Sequence, residues 1–160
     1  MVELALPRAL HALGRRAIDE AVARRAGSVE AEHLLLAILA RPNAPAAQSL
    51  ASSGLDHDTL VTALDRERER SIRAAGILPL SPPELSATPR TGKPGWGASI
   101  RDVLRRADKP AAKDGRPDAL ELELVVAILR ATLGTVPRAL ALAEIDRESL
   151  IQRVASSVVK

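Results

Sequence analysis

The sequence repeats itself at an offset of 90 residues, and no gap is needed. Arg15-Arg16-Ala17 returns as Arg105-Arg106-Ala107, Ala37-Ile38-Leu39 as Ala127-Ile128-Leu129, and Leu50-Ala51 as Leu140-Ala141. Asp56 returns as Asp146 and Leu60 as Leu150, while Leu10, Leu13, Leu55 and Val61 meet Ile100, Val103, Ile145 and Ile151. An Ala/Leu-rich chain matches itself at scattered positions by chance, but not with apolar positions and cap residues in step. A unit written twice buries its apolar face against its own copy, so the two halves must close on each other.

The unit is helical. The chain has no Phe, no Tyr and one Trp, so its core must be built from Leu, Ile, Val and Ala, among which Leu and Ala are strong helix formers. The spacing predicts a helix over 8–26, with Leu10, Leu13, Ala17, Ile18, Ala21 and Val22 on one stripe. A second follows at 29–40, with Ser28 as its N-cap, Glu30 and Glu32 at the positive end of its dipole, and an apolar body from Leu34 that needs cover on several sides. Pro42 ends it. A third helix is expected at about 46–53 with Gly54 as its C-terminal cap, and a fourth from Asp56, directing Leu60 and Leu64 inward. The sign-alternating run Asp65–Arg70 is expected to be exposed. In the second copy Lys109-Pro110 should end or kink the first helix, and Asp118-Ala119-Leu120-Glu121 has the form of a capping box. The expected architecture is all-α, a tandem pseudo-two-fold repeat of a four-helix unit with about eight helices in one domain over 1–160. Residues 1–70 form the first repeat, the Pro/Gly-rich 71–97 a linker or long loop, and 98–160 a second, more diverged repeat. Ile77, Leu78 and Leu80 are apolar enough to pack back on the domain.

Several function classes are excluded or weakened. Without Cys there is neither a disulfide nor thiol catalysis. No apolar run approaches the roughly 18 residues of a membrane span, and no basic-then-apolar leader opens the chain, so the expected location is cytoplasmic. His11, His33 and His57 lack metal-ligand spacing, and no Ser stands where a strained turn or an adjacent base would activate it. Neither an enzyme nor a cofactor is expected. Residues 71–120 carry nine Lys and Arg against five Asp and Glu, which is where a nucleic-acid footprint would lie; a solvated basic surface is the preferred explanation.

Glu32-His33-Leu34-Leu35-Leu36-Ala37-Ile38-Leu39 resembles the N-terminal domain of Clp-type ATPases, whose repeats carry Glu-His-Leu-Leu-Leu-Ala-Leu-Leu-like helices. The resemblance extends to the Ala-rich first helix, to Ala47-Gln48-Ser49-Leu50 with Gly54, and to Leu78-Pro79-Leu80-Ser81-Pro82, which is similar to the segment opening the family's second repeat. It implies a double four-helix repeat that docks adaptors and substrates, with phosphoarginine a ligand in some members. The chain holds no Gly-x-x-x-x-Gly-Lys-[Ser/Thr] phosphate loop, and Lys160 ends a helix without a linker, so a free-standing Clp-repeat protein is expected rather than an ATPase.

By the same resemblance the acidic residue before His meets a guanidinium-type ligand. Glu32 keeps it; the matching second-copy position is Leu122, flanked by Glu121 and Glu123. Family members tend to carry Phe near the start and in the inter-repeat segment, where this chain has Val2 and Leu80. Glu32, Val2 and Leu80 are therefore the candidate partner-binding residues. Glu32 pairs with an Arg-like group in one reading and serves the helix dipole or a structural ion pair in the other. Trp96 is expected as a packing anchor. The expected function is a non-catalytic protein-binding module for Clp ATPase or protease components, adaptors or substrates, including phosphoarginine-bearing ones. The alternatives are a protein sequestering small molecules aimed at Clp N-domains, and a nucleic-acid binder using the basic middle segment.

Overall fold

The computed structural model describes residues 8–77, 92–107 and 116–158. Eight α-helices lie among them: α1 (His11–Ala23), α2 (Ala31–Leu39), α3 (Pro45–Ala51), α4 (His57–Ala74), α5 (Ala98–Arg106), α6 (Pro117–Leu129), α7 (Thr135–Leu142) and α8 (Arg147–Val158). A 3-10 turn at Arg8–Leu10 leads into α1. Two two-residue strands, β1 (Ser28–Val29) and β2 (Gly95–Trp96), pair in parallel, Ser28 opposite Gly95 and Val29 opposite Trp96. The fold is all-α, as expected.

The centre is α2, where every residue except Glu32 is buried. α1 lies along it through Leu13, Gly14, Ala17 and Ala21, and α3 to α7 each touch it as well. α6 is its counterpart at the 90-residue offset and is likewise buried from Leu120 to Leu129 except at Glu123. Each fully buried Leu or Ile in these two helices contributes about 1.5–3 kcal/mol.

The repeat holds at the level of single hydrogen bonds. Ala40 N–H donates to the Leu36 carbonyl at 2.8 Å, and Arg130 N–H to Val126 at 2.9 Å; Leu55 to Leu50 spans 3.1 Å, and Ile145 to Leu140 spans 3.0 Å. The turn after α3 has Gly54 at φ 85°, and the turn after α7 has Glu144 at φ 56°, ninety residues on. Glycine adopts that left-handed conformation freely, whereas Glu144 bears a steric cost to keep the same turn. Asp56 caps α4 by accepting from Thr59 N–H at 2.8 Å; Asp146 accepts from Glu148 N–H at 3.1 Å at the start of α8. The last helix of each repeat also reaches the other repeat, although α8 lies mainly along α6 of its own. α4 packs on α7 and α8 on α3. Glu67 on α4 accepts from Arg138 Nε on α7 at 2.7 Å, and its counterpart Ser157 on α8 meets Ser49 on α3 at 3.4 Å.

Four local expectations change. The N-cap of α2 is Glu30, not Ser28, because residues 28 and 29 are held extended by β2. Val22 is 55% exposed, since α1 buries only the narrower stripe that faces α2 and β1. Glu67 is buried within the run expected to be exposed, because α7 covers that face of α4. The Asp118–Glu121 capping box does not form: Arg116 is the N-cap, Pro117 takes the first turn, and Glu121 pairs elsewhere. The Lys109-Pro110 break, Leu78–Pro82, Val2 and Leu80 lie outside the described residues. Trp96 is partly buried and packs against the core, beside Leu10, Leu13, Ile100 and Leu124.

Candidate functional site

The first turn of α2 is fixed by a reciprocal arrangement with α5. α5 has Gly97 at its N-cap and so lacks a capping side chain of its own. The Glu30 carboxylate supplies one: Oε2 accepts from Ser99 N–H at 3.0 Å and from the Ser99 hydroxyl, while Oε1 accepts from Ser28 at 2.8 Å. Ser99 Oγ in turn accepts from Ala31 N–H at 2.9 Å, capping α2. Two helix N-termini thus share one carboxylate and one hydroxyl, satisfying amide donors that would otherwise be orphaned. Burial works to raise the Glu30 carboxyl, but hydrogen bonds from Ser99 and Ser28 outweigh it and hold the group below the usual carboxylate range. His33 completes the turn, its Nδ1 accepting from Glu30 N–H at 2.9 Å.

This joint leaves no room beside Gly97, where an added Cβ would fall on the Glu30 carboxylate. Gly97→Ala should push Glu30 out of both caps and cost about 1–2 kcal/mol, the usual worth of a cap. Urea denaturation checks this; an unchanged midpoint would mean that Glu30 moves aside without loss.

Glu32 stands one residue inside this joint, half-buried. It makes no ion pair with any described residue, in contrast to Glu67 and Glu121. Burial pushes its carboxyl above the usual range; its own backbone N–H and Arg24 oppose that, while Glu30 and Glu67 add to it. The cation that acts on it, Arg24, is itself paired with Asp65.

Two grooves meet at Glu32. The larger, about 540 Å³, runs between the end of α1, α4 and the start of α7, and carries Arg24, Arg25, Arg68, Arg138 and Glu67 beside apolar Leu64, Ile72 and Ile77. Arg24 is committed to Asp65 at 2.7 Å and Arg138 to Glu67. The smaller, about 240 Å³, lies between α5 and the loop from α6 to α7; Asp102, Val103, Ile128 and Leu133 line it, and Leu133 is 88% exposed. Thr135 borders both. Sequence reasoning found Glu32 and missed Asp102, Thr135, Glu67 and Arg138. Only Glu67 left a signal, since it continues the Leu60, Leu64 stripe of α4. Among the described residues no three His, Asp or Glu side chains converge as metal ligands would, and no helix is long and apolar enough to cross a membrane.

The family model for the Clp repeat (R) N-terminal domain matches residues 8–93, more than half of the chain. The chain belongs to the Clp N-domain family. Among solved structures, the N-terminal domain of the caseinolytic protease-associated chaperone ClpD from Arabidopsis thaliana is similar over 100% of this chain and 98% of its own. The identity is 15% and the TM-score 0.61, so that likeness carries the fold alone. No curated protein matches the sequence. As a member of this family the chain carries a Clp-related protein-interaction domain.

Proposed function

We propose that this Clp N-domain recognises guanidinium-bearing groups on partner proteins, with Glu32 as the receiving carboxylate. The partners implied are Clp components, adaptors or substrates, phosphoarginine-bearing ones included. The observation that carries the reading is that Glu32, half-buried, makes no ion pair with any described residue, unlike Glu67 and Glu121, and sits where two grooves join. A guanidinium approaching through the smaller groove meets Glu32, and a planar fork of N–H donors matches a carboxylate bidentately. The larger groove has arginines, so an anionic group attached to that guanidinium would find positive charge on the far side of Glu32. A ligand with both charges fits better than plain arginine.

The test is calorimetry with a phosphoarginine peptide and its arginine counterpart. Glu32→Ala should weaken binding about tenfold to a hundredfold, in line with a charge-assisted pair worth about 1.5–3 kcal/mol. Undiminished binding would place the ligand elsewhere. Val2 and Leu80 stay candidates for the apolar part of the contact, and Val2→Phe and Leu80→Phe should tighten it if an aromatic is what these positions want.

A small-molecule sequestering role draws support from the groove of about 540 Å³, within the ordinary size of ligand pockets. Calorimetry with compounds aimed at Clp N-domains tests it, absence of heat arguing against it. The nucleic-acid reading loses ground because Arg105 and Arg106 both pair with Asp102, which neutralises part of the basic middle segment.

A further inference from the structure

The residues that line the smaller groove have counterparts at the 90-residue offset, where Glu32 becomes the buried Leu122 and the charges are differently placed. At the 90-residue offset Ala131 corresponds to Arg41, and Ala31 to Glu121. The backbone matches at these positions: Ala131 N–H donates to Ile128 and Arg41 N–H to Ile38, both at 3.2 Å. Where the open groove has two alanines, the counterpart has a guanidinium reaching from the end of α2 to a carboxylate in α6. Glu121 is 4% exposed and the Arg41 Nε is buried without a hydrogen-bond acceptor. This arginine is seated by a single carboxylate.

We infer that Arg41 is a built-in ligand: its guanidinium occupies the second copy of the cation groove, held by Glu121, and leaves the domain with one open site instead of two. The inference extends the reading of Glu32 as a guanidinium receptor, yet it stands on different residues. The occupant is known because the chain itself supplies it, and the class of molecule that can replace it is an alkylguanidinium. Removing Arg41 beyond its Cβ leaves a space the shape of N-ethylguanidinium, next to a buried carboxylate without a partner.

The test is chemical rescue. Arg41→Ala is melted thermally with increasing N-ethylguanidinium, and with ethylammonium at the same ionic strength. Rescue should be saturable for the guanidinium, as occupation of a defined site requires. Ethylammonium should give at most a small, unsaturable rise, and the Arg41→Ala/Glu121→Leu double variant should not respond to either. Equal responses of the single and double variants would overturn the inference. If Arg41→Ala does not fold, nitrogen-15 NMR of the unaltered protein decides: slow rotation of the Arg41 guanidinium that is freed by Glu121→Gln supports the assignment, and free rotation from the start refutes it. Carrying Glu32→Ala into the rescue background separates the two readings, since rescue should persist there even if Glu32 binds nothing.

Discussion

Lowering the pH from about 7 to 4 should cost this domain about 3 kcal/mol through His33 alone, and His33→Gln should remove most of that loss. His33 is 3% exposed, and its pKa is lowered from 6.5 to about 4, chiefly by burial and then by Arg24, with Glu30 pulling weakly the other way. Its geometry gives a second reason: Nδ1 accepts the Glu30 N–H, so a proton there would face a donor and break the cap. The unfolded chain takes up a proton as the pH falls through about 6.5, while the folded chain resists until about 4. Stability therefore declines across that window and levels off below it, at ~1.4 kcal/mol for each pH unit. Glutamine at the same position can also accept the Glu30 N–H, as in an ordinary capping box, but does not titrate. Urea midpoints between about pH 6.5 and 5 isolate the effect. Below that range Glu32, whose carboxyl is raised, gains stability on protonation, whereas Glu30 and Asp56, whose carboxyls are lowered, lose it. Parallel pH curves for the parent and His33→Gln would show that His33 does not set the slope.

What could be read in the chain and what could not divide by the distance over which each feature is decided. The body of α2 was legible because its apolar residues are consecutive, and the Asp56 cap because its acceptor and its donor, Thr59, are three residues apart. The N-cap of α2 lies two residues beyond Ser28 because β2, far along the chain, holds residues 28 and 29 extended. β1 and β2 span two residues each, too few for any periodicity to register. The candidate site splits the same way. Glu32 followed from its place in the repeat, while the grooves on either side of it depend on α4, α5 and α7, whose faces are chosen by packing between the repeats. Their lining could not be assembled from spacing along one helix.

Breaking the Arg41–Glu121 pair from one side should be the most damaging single change available at the surface of this fold, and breaking it from both sides should be nearly harmless. Arg41→Ala leaves Glu121, with a side chain 5% exposed, facing an empty groove. An unpaired buried charge costs about 3–5 kcal/mol when its partner is removed; the Arg41 side chain is 31% exposed, so water reaches the gap and the expected loss is at the lower end, about 3 kcal/mol. Replacing both residues together, as in Arg41→Met/Glu121→Leu, removes the charges along with their desolvation and fills the space with apolar atoms. Such exchanges of buried ion pairs are commonly neutral or stabilising. The coupling read from the two single variants and the double should thus be of the same size as the single loss, measured by denaturant unfolding near pH 7. Additive losses would mean that Arg41 and Glu121 act independently, each through its own packing. A strong coupling together with a stable double variant has a sharper meaning. It would show that the domain does not need this pair to fold.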